Sequence, residues 1–215
     1  MSALSAFLRW FSQHLYTTLA WSYDLVAWLV SGGQWRRWQQ PGIEGLPPGR
    51  VLELGPGPGH ALCDLARSGR HAVGLDLSRQ MVRQAARRLR RAGLPQRLAR
   101  GRSQALPFAS GGFDSALATF PSEYILDPET LREVARVLRP QGAWIVIPSA
   151  RITGGGVIDR VLKRWTEWLH QTGPVGTAFV ESFRAAGFEA RIESVPLERA
   201  EVYRLVATRP PAVPS

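Results

Sequence analysis

The segment VLELGPGPG at residues 51–59 places Gly55, Gly57 and Gly59 directly behind an apolar run and ahead of a helical pattern that opens near His60. Glycine lets a backbone come close to a ligand, and the free amides at a helix start attract an anionic group. Asp76 closes the next apolar run, AVGLDLS, 21 residues after Gly55. An acid at about that distance can accept hydrogen bonds from ribose hydroxyls. These residue types together specify an adenosine-containing ligand at the carboxyl ends of strands. They depart from the dinucleotide fingerprint G-x-G-x-x-G/A, because the sixth position is His60 and Gly59 comes one residue early. A nicotinamide oxidoreductase is therefore disfavoured, and stays open as an alternative.

Such residues need a sheet to hold them, and the rest of the chain supplies its signals. Strand patterns cover residues 50–54, 72–76, 96–100, 113–119 and 143–147, alternating with helical patterns at 60–68, 78–92 and 128–138. Alternation of this kind predicts parallel strands with helices on both faces. The rhythm breaks at the end. A helix at 177–186 stops at Gly187, and strands at 189–195 and 201–208 follow with only a turn between them, which makes them an antiparallel hairpin. The expected fold class is α/β: a Rossmann-like doubly wound sheet of seven mostly parallel strands, an antiparallel C-terminal hairpin, and N-terminal helices. Residues 1–40 read as a helical lid or appendage, 41–49 as a Pro/Gly linker, 41–209 as the binding domain with a helical insertion at 151–176, and 210–215 as a frayed tail.

Composition narrows the classes further. With 215 residues, 45% of them hydrophobic, the chain can form one domain with a sizeable core. Cys63 is the only cysteine, which excludes a disulfide framework within one chain and a cysteine-based zinc site, and no metal is expected. Of the 27 basic residues 26 are Arg, and the net charge is +10. Residues 79–102 hold nine Arg and no acid, so Arg83, Arg87, Arg90 and Arg91 form either a solvated helix face or a stripe that meets phosphates. The solvated face is the simpler reading, and nucleic acid is disfavoured as a partner.

The ordered set of E-x-G-x-G-x-G, GLDLS, QALPF, FDSALATF and LREVARVLRPQGAWIVI resembles the class I S-adenosylmethionine-dependent methyltransferases, nearest to the branch acting on quinone precursors, lipids and small metabolites. The resemblance covers residues 50–148 and implies S-adenosylmethionine as cofactor. It implies that Glu53 holds the loop, that Gly55, Pro56, Gly57 and Gly59 line the methionine moiety, and that Asp76 binds the ribose. Leu77 and Met81 would lie against adenine, with Ser103, Gln104, Ala105 and Thr119 completing the cofactor set. The family commonly offers an Asp to adenine from a GDA-type turn. Here that turn is Gly101, Arg102 and Ser103, and Arg102 has no acceptor to offer.

Methyl transfer needs alignment more than acid–base groups. Glu123 and Tyr124, in TFPSEY after the fourth strand, are the candidates for an assisting base, set against the plain alternatives of a solvated acid and a packed aromatic. Tyr23, in WSYDLVAW, matches the family's lid tyrosine. Five of the eight Trp lie in the first 38 residues, on stripes that could cover the cofactor, close on an apolar acceptor or rest in a membrane interface. Residues 15–30 are too short for a span and contain Asp24, so no transmembrane helix is expected, nor a signal peptide. The expected protein is a cytoplasmic enzyme, open to peripheral contact with the inner face of the membrane through residues 1–40. Its acceptor would be small or lipid-like. A membrane-associated phospholipid or quinone methyltransferase and a non-catalytic S-adenosylmethionine-binding protein are the further alternatives; oligomeric state is not legible.

Overall fold

The computed structural model describes residues 34–154 and 176–211. Strand β1 (Arg50–Leu54) is buried beyond its first residue and pairs in parallel with β2 (His71–Asp76) on one side and β4 (Phe113–Thr119) on the other. The short β3 (Leu98–Arg100) extends the sheet in parallel beyond β2, and β5 (Leu138–Ile152) pairs in parallel with β4. At the far side β7 (Ala200–Thr208) inserts between β5 and β6 (Glu189–Pro196), antiparallel to both. The strand order is β3-β2-β1-β4-β5-β7-β6. Strand order therefore reverses at β1, which opens a crevice at the carboxyl ends of β1 and β4 where ligands of such sheets bind.

Alternation along β1 explains the two-faced core, since successive side chains of a strand point to opposite faces. Val51 joins Leu62, Leu65 and Leu89 beneath α1 (Trp35–Glu44), α2 (His60–Arg67) and α3 (Arg79–Arg91). Leu52 and Leu54 join the other cluster, where Val134 of α4 (Pro128–Val137) and Phe183 of α5 (Thr177–Ala185) pack. In that cluster Trp144 is flanked by Phe183 and Phe188, with ring centroids 4.9 and 5.7 Å away.

Two expectations are revised. The linker read at 41–49 is helical as far as Glu44, so α1 runs through Pro41 and Gly42. Packing overrides the local signal. Trp38, Ile43 and Leu46 are buried, and a side chain at Gly42 would meet Ile147 and Leu117 at 3.0 Å, so the helix needs glycine there to lie on the sheet. The strand read at 143–147 extends from Leu138 to Ile152, and Arg151 and Ile152, placed in the insertion by the sequence, pair with Glu201 and Ala200 of β7. The N-terminal helices read over 1–33, most of the insertion and residues 212–215 lie outside the described residues. Among the described residues no helix is long and apolar enough to cross a membrane.

Ser115 of β4 is completely buried, and its hydroxyl has no partner. An unpaired buried hydroxyl is a net cost. Ser115→Ala is expected to stabilise the fold by up to about 1 kcal/mol, or roughly 2 to 4 °C in Tm by thermal denaturation.

Candidate functional site

Among the described residues, the loop joining β1 to α2 carries the densest set of unusual backbone angles. Gly55, Gly57 and Gly59 take φ of +63°, +53° and +83°, separated by Pro56 and Pro58, and the Gly59 N–H donates to the Pro56 carbonyl at 2.8 Å. Left-handed φ is strained for residues with a Cβ, so three glycines alternate with two prolines that restrict the intervening turns. A side chain at Gly59 would also strike Ala85 of α3 at 2.8 Å, whereas one at Gly57 would meet nothing within 4 Å. The loop thus packs closely on α3 at Gly59 and leaves open space over Gly57.

Asp76, at the carboxyl end of β2, ties the two halves of this edge together. Its Oδ2 accepts from the Gly57 N–H at 3.1 Å and its Oδ1 from the Ser78 N–H at 2.8 Å. A carboxylate offers about four acceptor positions, so two remain for hydroxyls of a ligand. Burial pushes the Asp76 carboxyl above its ordinary value, and the two backbone N–H groups oppose that shift. Leu77, beside it, is 61% exposed and presents apolar surface at the rim. Met81 lies beneath, 2% exposed, on the buried face of α3, and can support the rim but offers it almost no surface.

Glu53 is 1% exposed in β1 and its Oε2 has no partner. Desolvation, helped by the nearby Asp76 and Asp64, pushes its carboxyl up to about 8. A buried carboxyl oxygen without a partner two residues ahead of the glycine loop, with a glycine cradle open above Gly57, fits a polar, adenosine-bearing ligand. The donor and acceptor set therefore suits the cofactor implied by the sequence.

The remaining expected residues are distributed around the same edge. The Ser103 hydroxyl is turned inward, 3.0 Å from Thr130 Oγ1, while the Gln104 side-chain amide donates to Asp127 Oδ2 at 2.9 Å. Asp127 also caps α4 by accepting from the Glu129 N–H. The acid beside this turn therefore comes from a different element than the family pattern suggests, and Gln104 and the Glu129 N–H hold its carboxyl below the ordinary range. Ala105 and Arg102 are exposed. Thr119 ends β4, and its hydroxyl accepts from Gln39 Nε2 at 3.0 Å.

Glu123 is exposed at the start of a single 3-10 turn (Glu123–Leu126). The Tyr124 hydroxyl donates to the Leu54 carbonyl at 3.3 Å, and a side chain at Gly55 would meet that hydroxyl at 2.7 Å. Tyr124 thus braces the start of the glycine loop. Tyr23 lies outside the described residues.

Sequence reasoning missed an aromatic cluster next to Thr119. Trp35 and Phe120 have ring centroids 4.1 Å apart, and Trp38 lies 6.4 Å from Trp35 and 6.3 Å from Phe120. Phe120 has φ +49°, an uncommon angle for a bulky residue, and its N–H donates to the Ile147 carbonyl at 2.7 Å. Strain of this kind tends to collect at functional sites. The available signal was Phe120 itself, inside the loop already singled out; its partners in α1 were hidden by 82 or more residues of chain.

Comparison with known proteins agrees with this geometry. Residues 51–142 match the model of a methyltransferase domain. A demethylmenaquinone methyltransferase of Mycolicibacterium vanbaalenii is 34% identical over 61% of this chain and 57% of its own length. Another so named, of Mycolicibacterium gilvum, is 32% identical over 78% of this chain and 71% of its own length. The matched region thus spans between 57% and 71% of these two relatives' length. Haemonchus contortus phosphoethanolamine N-methyltransferase 2, solved in complex with S-adenosyl-L-methionine, shares the fold, with a TM-score of 0.62 at 14% identity over 92% of this chain and 59% of its own. Sequence, sheet order and loop geometry agree, and the chain belongs to the class I S-adenosylmethionine-dependent methyltransferases.

Proposed function

We propose that this chain transfers a methyl group from S-adenosylmethionine to a small, apolar aromatic acceptor of the quinone type. The observation that carries the acceptor class is the partly buried Trp35 and Phe120 pair at the carboxyl end of β4, backed by the buried Trp38 and beside the strand that feeds the glycine loop. A flat aromatic ring is recognised by stacking and edge contacts with such side chains. The names of the relatives, which act on demethylmenaquinone, point the same way. Family membership removes the reason for a nicotinamide reading.

When bound, the cofactor supplies a methyl on a positively charged sulfur, an electrophile whose leaving group is a neutral sulfide. The chain's own residues have the task of holding two reactants in line, a proximity effect that can contribute roughly 7 to 11 kcal/mol. Asp76 would anchor the ribose, and the Gly55 to Gly59 backbone would set the depth of the methionine arm. Tyr124 would keep that loop in place through the Leu54 carbonyl. The aromatic cluster would position the acceptor ring and exclude water. Glu123, exposed on the neighbouring turn, would receive a proton displaced from the acceptor.

The test is methyl transfer from isotopically labelled S-adenosylmethionine with two acceptors, a reduced polyprenyl naphthoquinone lacking the ring methyl and phosphatidylethanolamine. Label in the naphthoquinol is the expected result. Label only in phosphatidylethanolamine, or in neither while the cofactor still binds, would sink the acceptor assignment.

A further inference from the structure

A second concave site lies between α1, α2 and α3, on the helix-covered side of the sheet behind the glycine loop. The cleft has a volume of about 500 Å³, and its lining includes Arg36, His60, Arg67, Arg87, Arg88 and Arg91. The three helices each contribute. Arg87, Arg88 and Arg91 fall on one face of α3, and His60 and Arg67 stand two turns apart on one side of α2.

Two of these arginines, Arg87 and Arg91, have no carboxylate partner among the described residues. Asp64 is paired with both Arg36, at 2.9 Å, and Arg67, at 3.2 Å. The Arg88 guanidinium donates to the Pro58 carbonyl, behind the glycine loop. Arg87 and Arg91 stand one helical turn apart on α3, where Cβ atoms are about 5–6 Å from each other, so the two charges lie inside one Debye length and their repulsion is only partly screened. An anion with several oxygens would relieve that repulsion and accept forked hydrogen bonds from several Arg at once.

We infer that this cleft is a binding site for a phosphate group carried by a small ligand, either a lipid headgroup or a soluble phosphoester. The half-open cleft of about 500 Å³ has room for one or two phosphates and does not suit a folded nucleic acid. The sequence reading had joined Arg83, Arg87, Arg90 and Arg91 into one stripe, and the structure divides them: Arg87 and Arg91 line the cleft, Arg83 and Arg90 do not. The site does not depend on the acceptor assignment, since it shares no residue with the cofactor-binding set.

The experiment compares the full chain with two double variants of equal charge loss, Arg87→Gln/Arg91→Gln inside the cleft and Arg83→Gln/Arg90→Gln outside it on the same helix. Binding is measured calorimetrically with inorganic pyrophosphate, and by flotation with vesicles of pure phosphatidylcholine or of equal parts phosphatidylcholine and phosphatidylglycerol. All four side chains are exposed and only Arg87 and Arg91 line the cleft, and circular dichroism with S-adenosylmethionine titration verifies that each variant is folded. The cleft pair is expected to weaken binding by about tenfold or more, and the outer pair by less than about threefold, because only the former removes forked contacts. Cleft-dependent binding of pyrophosphate alone identifies a soluble phosphoester, and cleft-dependent flotation with the anionic vesicles identifies a headgroup; either sustains the site. Equal loss in the two double variants, or no binding of either probe by the unsubstituted chain, overturns it.

Discussion

Asp76→Ala is expected to weaken S-adenosylmethionine binding by about 3 kcal/mol, on the order of a hundredfold in Kd, with little change in the sheet itself. The size follows from the two jobs the carboxylate holds at once. It accepts from the Gly57 and Ser78 N–H groups, so its loss frees the centre of the glycine loop and the start of α3. It would also supply the acceptors for ribose hydroxyls. Asp76→Asn separates these contributions. An amide has one acceptor oxygen, so one of the two backbone N–H groups would face an NH₂ donor, and most of the loss should persist despite equal size. Calorimetric titration of both variants checks this; near-wild-type affinity for Asp76→Ala would remove the residue from the site.

Glu53 should make the fold less stable as pH rises towards 8, the reverse of the usual behaviour of a carboxylate. Its carboxyl titrates near its ordinary 4.5 in the unfolded chain and near 8 when folded. Between those values the native state holds a proton that the unfolded state has released. Stability contributed by the protonated form is therefore complete below about 4.5 and lost progressively as pH climbs through about 8. The loss is expected to be about 3 kcal/mol between pH 5 and 8, roughly 6 to 12 °C in Tm. Asp76, also raised by burial, acts in the same direction. Glu133, Glu193 and Glu201, held low chiefly by hydrogen bonds from Arg136, Arg204 and Ser194, act in the opposite sense, and their contribution disappears as pH falls below the carboxylate range. Maximum stability is thus expected on the acid side of neutrality. Thermal melts of the unsubstituted chain and Glu53→Gln from pH 5 to 9 provide the check. The variant's amide does not titrate, so its curve should be flatter over pH 5 to 8. Parallel curves would show that Glu53 does not carry the effect.

The glycine loop and Asp76 were legible because the physics behind them is local. A left-handed φ needs glycine wherever it occurs, and an acid at the end of a strand faces the crevice whatever surrounds it. Pro41 and Gly42 were misread for the complementary reason: as isolated residues they break helices, and only contact with Leu117 and Ile147 shows why α1 continues through them. The turn at Arg102 was read as lacking an acid, which is true of its own residues. Asp127, 25 positions later at the cap of α4, accepts from Gln104 next to that turn.

By itself the sequence determined the order of the described strands and most helices, the glycine loop and the place of Asp76 at the end of β2, since each rests on periodicity, backbone angle or spacing within a few dozen residues. Tertiary structure alone decided what lies between distant elements. It set Phe120 against Trp35 and Trp38, tied Gln39 to Thr119, left Glu53 Oε2 without a partner, and divided one run of arginines into a cleft wall and an outer face. Those relations depend on which helix packs on which side of the sheet, and long-range packing of that kind leaves no fixed spacing in the chain to read.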